Sequence, residues 1–182
     1  MAKLAKLNGN YTYTMDNFYK SLIIYQKIKC GIPIILMGET GCGKTSLLNM
    51  LAIFMYKGTT KMKILKCHSG TKDKDIIDFI NNITDNIEKE EDEELKEIME
   101  KYKKNELSVH YDPNEHYKIH YQKIKERKIW VFFDEFNTCN SMQLITEIFC
   151  NKTMYGKPIY SSDKLRFLGS VNPYRAMTDK MK

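Results

Sequence analysis

Gly38-Glu39-Thr40-Gly41-Cys42-Gly43-Lys44-Thr45 is a glycine, four residues, then Gly-Lys-Thr. Its neighbours decide how it is read. Pro33-Ile34-Ile35-Leu36-Met37 precedes it and predicts a buried strand; Leu47, Leu48, Leu51, Phe54 and Met55 follow at helical spacing. Strand, glycine loop and helix in that order predict a phosphate-binding loop. Backbone N–H groups of such a loop point at phosphate oxygens, and the helix N-terminus adds partial positive charge. Residues Gly38 through Ser46 are therefore the candidate nucleotide-binding set, with Lys44 reaching the β- and γ-phosphates and Thr45 offering its hydroxyl to magnesium. The plainer alternative is a glycine turn ahead of a core helix.

Working outward, the first helix is predicted to start at Thr14-Met15-Asp16-Asn17, a hydroxyl cap followed by acidic and amide residues. It carries Phe18, Leu22, Tyr25 and Ile28 on an apolar face and ends at Cys30-Gly31. After the loop helix come a turn at Lys57-Gly58-Thr59-Thr60 and a strand from Met62 to Cys67. His68-Ser69-Gly70-Thr71 reads as a loop with no chemistry assigned, and Ile76, Ile77, Ile80 and Ile83 as a short helix.

Charge then rises abruptly, with eight of the chain's 23 acidic residues between Glu88 and Glu100. Leu95, Ile98, Met99 and Tyr102 still hold a helical stripe, and Asp92/Lys96, Glu97/Lys101 and Glu100/Lys104 form favourable i,i+4 pairs. A second, exposed amphipathic helix is expected, inside a charged insertion at about 86–127. It reads as a solvated face, with partner binding as the alternative. Leu107 to Asn114 reads as loop and Glu115 to Arg127 as another polar helix.

Ile129-Trp130-Val131-Phe132-Phe133 predicts a strand covered on both faces, and Asp134-Glu135 closes it. In a phosphate-loop domain a second acidic motif belongs at the C-terminal end of a parallel strand adjacent to the loop's own. There Asp134 would hold magnesium through its water shell, and Glu135 would take a proton from the attacking water. Leu144, Ile145, Ile148 and Phe149 mark a helix, Gly156-Lys157-Pro158 a turn, and Leu165 to Val171 a last strand. Asn172-Pro173 ends that strand, where a polar side chain would lie between the two motifs and touch the γ-phosphate. Alternating strands and helices predict a three-layer α/β fold, with Lys44, Glu135 and Asn172 as its catalytic residues.

Bulk properties narrow the class. The 182 residues suit one domain with a substantial core. The formal net charge of +6 is spread along the chain, without the basic blocks and interleaved aromatics of a nucleic-acid surface. No run approaches the roughly 18 apolar residues of a membrane span. The N-terminus is too polar for a signal peptide, so a cytoplasmic protein is expected. Cys30, Cys42, Cys67, Cys139 and Cys150 are odd in number and lack CxxC spacing, which favours free thiols. Glu115, His116 and His120 stand in the wrong order for a HExxH zinc site.

Phosphate loop, Asp-Glu strand end and Asn172, in that order, resemble the core of the AAA+ ATPases. The resemblance sharpens to the mysterin family, giant ring-finger proteins that combine AAA+ modules with ubiquitin-ligase activity. Tyr13 to Phe18, Gly31 to Thr45, His68 to Thr71, Phe133 to Thr138 and Leu168 to Arg175 carry it. Dynein and midasin motor modules are more distant lookalikes. The resemblance implies an AAA+ large subdomain, an ATP- and Mg2+-dependent module of a larger mechanical protein. Its partners would be neighbouring AAA+ modules, with ubiquitin-pathway partners by resemblance alone. It also implies an adenine side near Tyr13, a helical lid missing from this stretch, and an arginine finger that the sequence does not locate, Arg166 or Arg175 being a guess. No ring-type Cys/His pattern exists here, so no ligase residues are expected in this chain. The alternatives are a module that holds nucleotide without turnover, and a GTP switch. The switch is weak, because Thr71-Lys72-Asp73-Lys74 misses the final acid of a base-reading motif.

Overall fold

The computed structural model describes residues 14–55, 62–104, 118, 121, 122, 124 and 126–173. The expectations on Tyr13, Lys57–Thr60, Leu107–Asn114, Arg175 and most of Glu115–Arg127, including His116 and His120, lie outside the described residues.

Helix α1 spans Met15–Lys29, and the Thr14 hydroxyl accepts the Asn17 N–H at 3.2 Å, as the cap residues predict. At its other end the Gly31 N–H donates to Ile28 O and the Ile32 N–H to Lys27 O, each at 3.0 Å. This paired closure uses carbonyls the helix leaves over, and turns the chain directly into β1, Ile34–Met37. Helix α2 follows at Lys44–Met55, strand β2 at Met62–Lys66 and helix α3 at Asp73–Lys104. Strand β3 is Ile129–Asp134, followed by a 3-10 turn at Phe136–Thr138 and helix α4, Met142–Asn151. A small antiparallel hairpin, β4 (Thr153–Met154) and β5 (Lys157–Pro158), precedes β6, Leu165–Val171. Glu147 braces it by accepting the Thr153 hydroxyl and the Tyr155 and Gly156 N–H groups.

The main sheet has the order β1-β6-β3-β2, with all three pairings parallel. The fold is therefore the three-layer α/β arrangement that the sequence predicts. Alternation along β3 assigns the layers. Trp130 and Phe132 join Ile24, Ile28, Leu47, Leu48 and Leu51 of α1 and α2 on one face. Val131 and Phe133 join Ile76, Ile80, Ile145 and Ile148 of α3 and α4 on the other. Both faces exclude water, so β3 is buried along its apolar length.

Three expectations are corrected. The strand before the loop is half-buried: Ile34 and Leu36 face α1 and α2, but Ile35 and Met37 are 54% and 73% exposed. β1 pairs on one side alone among the described residues, and neither α3 nor α4 reaches across to cover its second face. Second, β3 is not adjacent to β1, because β6 runs between them. Third, the short helix and the charged helix are one. No glycine or proline interrupts Asp73–Lys104, so helix formed on the Ile76–Ile87 stripe continues through the acidic run.

The acidic run docks through partners outside its own helix. Glu90 pairs with Lys63 at 2.5 Å, Glu91 with Lys164 at 2.7 Å and Glu94 with Arg127 at 2.7 Å. All three cations stand at or near the N-terminal ends of strands, so α3 spans from the C-terminal edge of the sheet to the opposite one. Truncation of the buried Phe132 to Ala is expected to cost about 3–5 kcal/mol, as large-to-small core changes do. Urea unfolding followed through Trp130, the chain's one tryptophan and itself buried, measures this.

Candidate functional site

Parallel strands bring their C-terminal ends to one edge, and the sequence motifs meet there. The Gly38 N–H donates to Val171 O at 3.2 Å, extending the β1–β6 pairing into the loop. Gly41 and Gly43 then take φ of 83° and 88°, a region that side-chain-bearing residues rarely adopt, and α2 begins at Lys44. Glu39, Thr40, Cys42 and Ser46 are exposed around this turn, and Thr45 is partly covered in the first helical turn.

Lys44 is held at three oxygens. Its ammonium donates to Gly38 O at 2.6 Å, Glu39 O at 3.0 Å and Asn172 Oδ1 at 3.0 Å. The Asn172 amide continues the chain of bonds, its Nδ2 donating to Glu135 Oε1 at 2.9 Å. The three residues expected to be catalytic are thus linked directly, although 128 positions separate Lys44 from Asn172. Asn172 stands between the two motifs, as expected, because β6 separates β1 from β3. Beside this row the Thr45 hydroxyl donates to Asp134 Oδ2 at 3.4 Å, so the two residues expected at magnesium also meet.

Two further residues that sequence reasoning gave no role complete the arrangement. The Ser170 hydroxyl donates to Asp134 Oδ1 at 2.6 Å and accepts the Glu135 N–H at 2.8 Å, so one fully buried side chain fixes both acids. Glu135 needs such a hold. Its φ of 55° places a non-glycine residue in the left-handed region, at a cost of order 1–3 kcal/mol. Asn137 faces the main chain of Asn172 through both ends of its amide, at 3.0 and 3.3 Å. The visible signal for Ser170 is a hydroxyl within the apolar second half of its strand, Phe167 to Val171. Asn137 carries no signal beyond belonging to the Asp-Glu-Phe-Asn-Thr stretch.

The loop His68–Thr71 closes on itself beside these acids. Thr71 Oγ1 accepts the His68 N–H at 3.0 Å, and the Cys67 N–H donates to Asp134 O at 2.9 Å. Burial pushes the Cys67 thiol up to about 12, with Cys139 and Asp134 nearby adding to the effect. Along the other flank an open groove of about 600 Å³ runs from Asn17, Lys20, Ile23 and Lys27 of α1 past β1 to Cys42 and Lys44. Arg166 is not among the site residues. At the opposite end of β6 its guanidinium donates to Ile28 O, Asp163 O and Leu165 O.

A family model described as the RNF213 AAA domain matches residues 11–105. The chain belongs to the RNF213 AAA domain family. The match includes the glycine loop and α1, and pairwise similarity runs further, over 94% of the chain. The chain is 33% identical over 173 residues to E3 ubiquitin-protein ligase rnf213-beta of Danio rerio. It is 31% identical over 174 residues to E3 ubiquitin-protein ligase RNF213 of Mus musculus, and 29% identical over 173 to that of Homo sapiens. It spans 3% of the length of each of these relatives. The resemblance to the ring-finger AAA+ family therefore holds. Among the described residues no helix is long and apolar enough to cross a membrane.

Two predictions test this geometry. A Cβ placed on Gly169 would lie 2.6 Å from Phe136 Cε1, so Gly169→Ala should force the turn after Glu135 off β6 and cost about 1–3 kcal/mol in thermal or urea unfolding. In the native state an alkylating reagent should modify the exposed Cys30, Cys42 and Cys150 and spare the buried Cys67 and Cys139, as read by peptide mass spectrometry.

Proposed function

We propose that the chain is an ATP-hydrolysing module of a larger RNF213-like protein. The observation that carries this reading is the bonded row Lys44–Asn172–Glu135, assembled from three distant segments at the mouth of the glycine loop. A structural turn would not need an amide placed between a cation and an acid.

Backbone N–H groups of the loop and the N-terminus of α2 would receive the phosphates, and Lys44 would exchange part of its carbonyl contacts for the β- and γ-phosphate oxygens. The groove beside α1 suits the base, with apolar walls at Ile23, Ile32 and Ile35. Glu135 would take a proton from a water whose oxygen attacks the γ-phosphorus as the bond to the β-phosphate oxygen breaks, leaving ADP and inorganic phosphate. Asn172, bonded to both Lys44 and Glu135, would orient that water and register the γ-phosphate.

The donor set fits magnesium. Among the described residues no group of three His, Cys, Asp or Glu side chains converges, which disfavours a cation needing an all-protein cage. One hydroxyl and one carboxylate, Thr45 and Asp134, suit an ion that keeps its waters and binds phosphate oxygens. That ion would neutralise charge developing on the phosphates. Ser170 would keep Asp134 turned toward Thr45. In the larger protein, neighbouring AAA+ modules would be the partners to which hydrolysis is coupled, and ubiquitin-pathway partners would belong to that larger chain.

Calorimetric titration of MgATP and MgGTP tests the reading. MgATP is expected to bind, MgGTP to bind more weakly, and Lys44→Ala to lose at least about tenfold in affinity, as removal of a charge-assisted contact does. Glu135→Gln should retain MgATP while phosphate release falls by a factor of order 100 or more. Binding that survives with no turnover in the unaltered chain would instead point to a module that holds nucleotide without hydrolysis.

A further inference from the structure

We propose that Asn137 is a positioning residue, gripping the main chain of Asn172 so that the Asn172 amide stays between Lys44 and Glu135; this rests on the nucleotide reading above. Asn137 Nδ2 donates to Asn172 O at 3.0 Å, and the Asn172 N–H donates to Asn137 Oδ1 at 3.3 Å. One side-chain amide thus satisfies both main-chain groups of a single residue, as a neighbouring strand would.

The grip falls where the sheet ends. The last pair of β6 with β1 is Val171 with Met37, and its last pair with β3 is Gly169 with Phe133. Asn172 lies one residue past the first limit and three past the second, and Pro173 after it has no N–H to donate. Sheet pairing therefore does not hold its main chain. The Asn137 end is firmly based. Its turn is closed by the Thr138 N–H on Glu135 O at 3.0 Å, tied to the residue after β2 by the Thr138 hydroxyl on Cys67 O at 3.2 Å, and seated on β6 by Phe136 over Gly169. Rotation of the Asn172 main chain would swing its amide off Lys44 and Glu135, whose bonds at 3.0 and 2.9 Å weaken steeply with misalignment.

A bland role is available, because asparagine is also a good turn former. The two roles separate at aspartate. Asn137→Asp keeps the size and turn preference but sets an oxygen against Asn172 O. The experiment is calorimetric titration of MgADP and of the slowly hydrolysed triphosphate Mg-ATPγS into the full 182-residue chain. The unaltered chain, Asn137→Ala, Asn137→Asp and Asn172→Ala are compared, each with its melting temperature. Both Asn137 variants should reproduce Asn172→Ala, with triphosphate affinity down about tenfold and MgADP affinity within about twofold. Equal weakening toward both nucleotides, an aspartate variant that behaves like the unaltered chain, or an Asn172→Ala variant without effect overturns the assignment. If the unaltered chain binds neither nucleotide, the nucleotide reading fails and takes this inference with it. If it binds and Asn172→Ala discriminates while the Asn137 variants do not, only the role of Asn137 falls.

Discussion

Everything at the site depends on β6 running between β1 and β3. A strand paired on both sides and packed on both faces has no room for a large polar group, and β6 keeps its one such residue, Arg166, near its start, ahead of the pairing with β1 that begins at Leu168. Its two hydroxyl and amide residues come at the end, where the packing opens. Parallel pairing makes that end coincide with the ends of β1 and β3, so loop lysine, acids and asparagine arrive together without any long side chain having to reach. Ser170 is tolerated at zero exposure because both its donor and its acceptor capacity are used, on Asp134 and on the Glu135 N–H.

Helix α3 carries a second kind of organisation. Its ion pairs to Lys63 and Arg127 are partly exposed, and such pairs are worth about 0–1 kcal/mol each, while Lys164 meets the buried Glu91. The affinity of α3 for the sheet comes from Ile76, Ile80, Ile83, Ile87 and Leu95, all buried. The charges instead fix where along the sheet the helix sits. At about 1.5 Å per residue its 32 residues extend about 48 Å, well beyond a six-residue strand. Near its first turn Tyr155 O–H donates to Asp73, whose carboxyl is held below its usual range by the Ser141 hydroxyl and by Tyr155, so the helix is tied at both ends of the domain.

Much of this was legible in the sequence because local pattern and global packing agree. Five apolar residues before Asp134 imply a doubly covered strand, and Ile129 to Phe133 are buried in that strand. Lys44, Thr45, Asp134, Glu135 and Asn172 could be named because each closes or opens an element, where position and residue type carry information together. What escaped depended on neighbours far apart in the chain. Strand order is not written in any one segment, and the motifs alone do not show that β6 separates β3 from β1. The same four residues, Ile34 to Met37, read as buried or half-buried according to what lies beside the strand, and only topology reveals that. The unbroken α3 is hard to read because a shift in charge resembles a boundary, whereas helix continuity depends on the absence of breakers. Ser170 and Asn137 act through bonds across 35 or 36 positions, which periodicity cannot register.

The contact between Asn137 and residue 172 also bears on how such a module can vary. It uses main-chain atoms alone on the 172 side, and those are the same for every amino acid except proline. The register of the strand end is thus set independently of the side chain it presents. Any residue but proline at position 172 can be set beside Lys44 and Glu135 while the backbone that carries it stays where it was. Chains of this architecture can in this way differ in the side chain presented there while the end of the strand keeps its place.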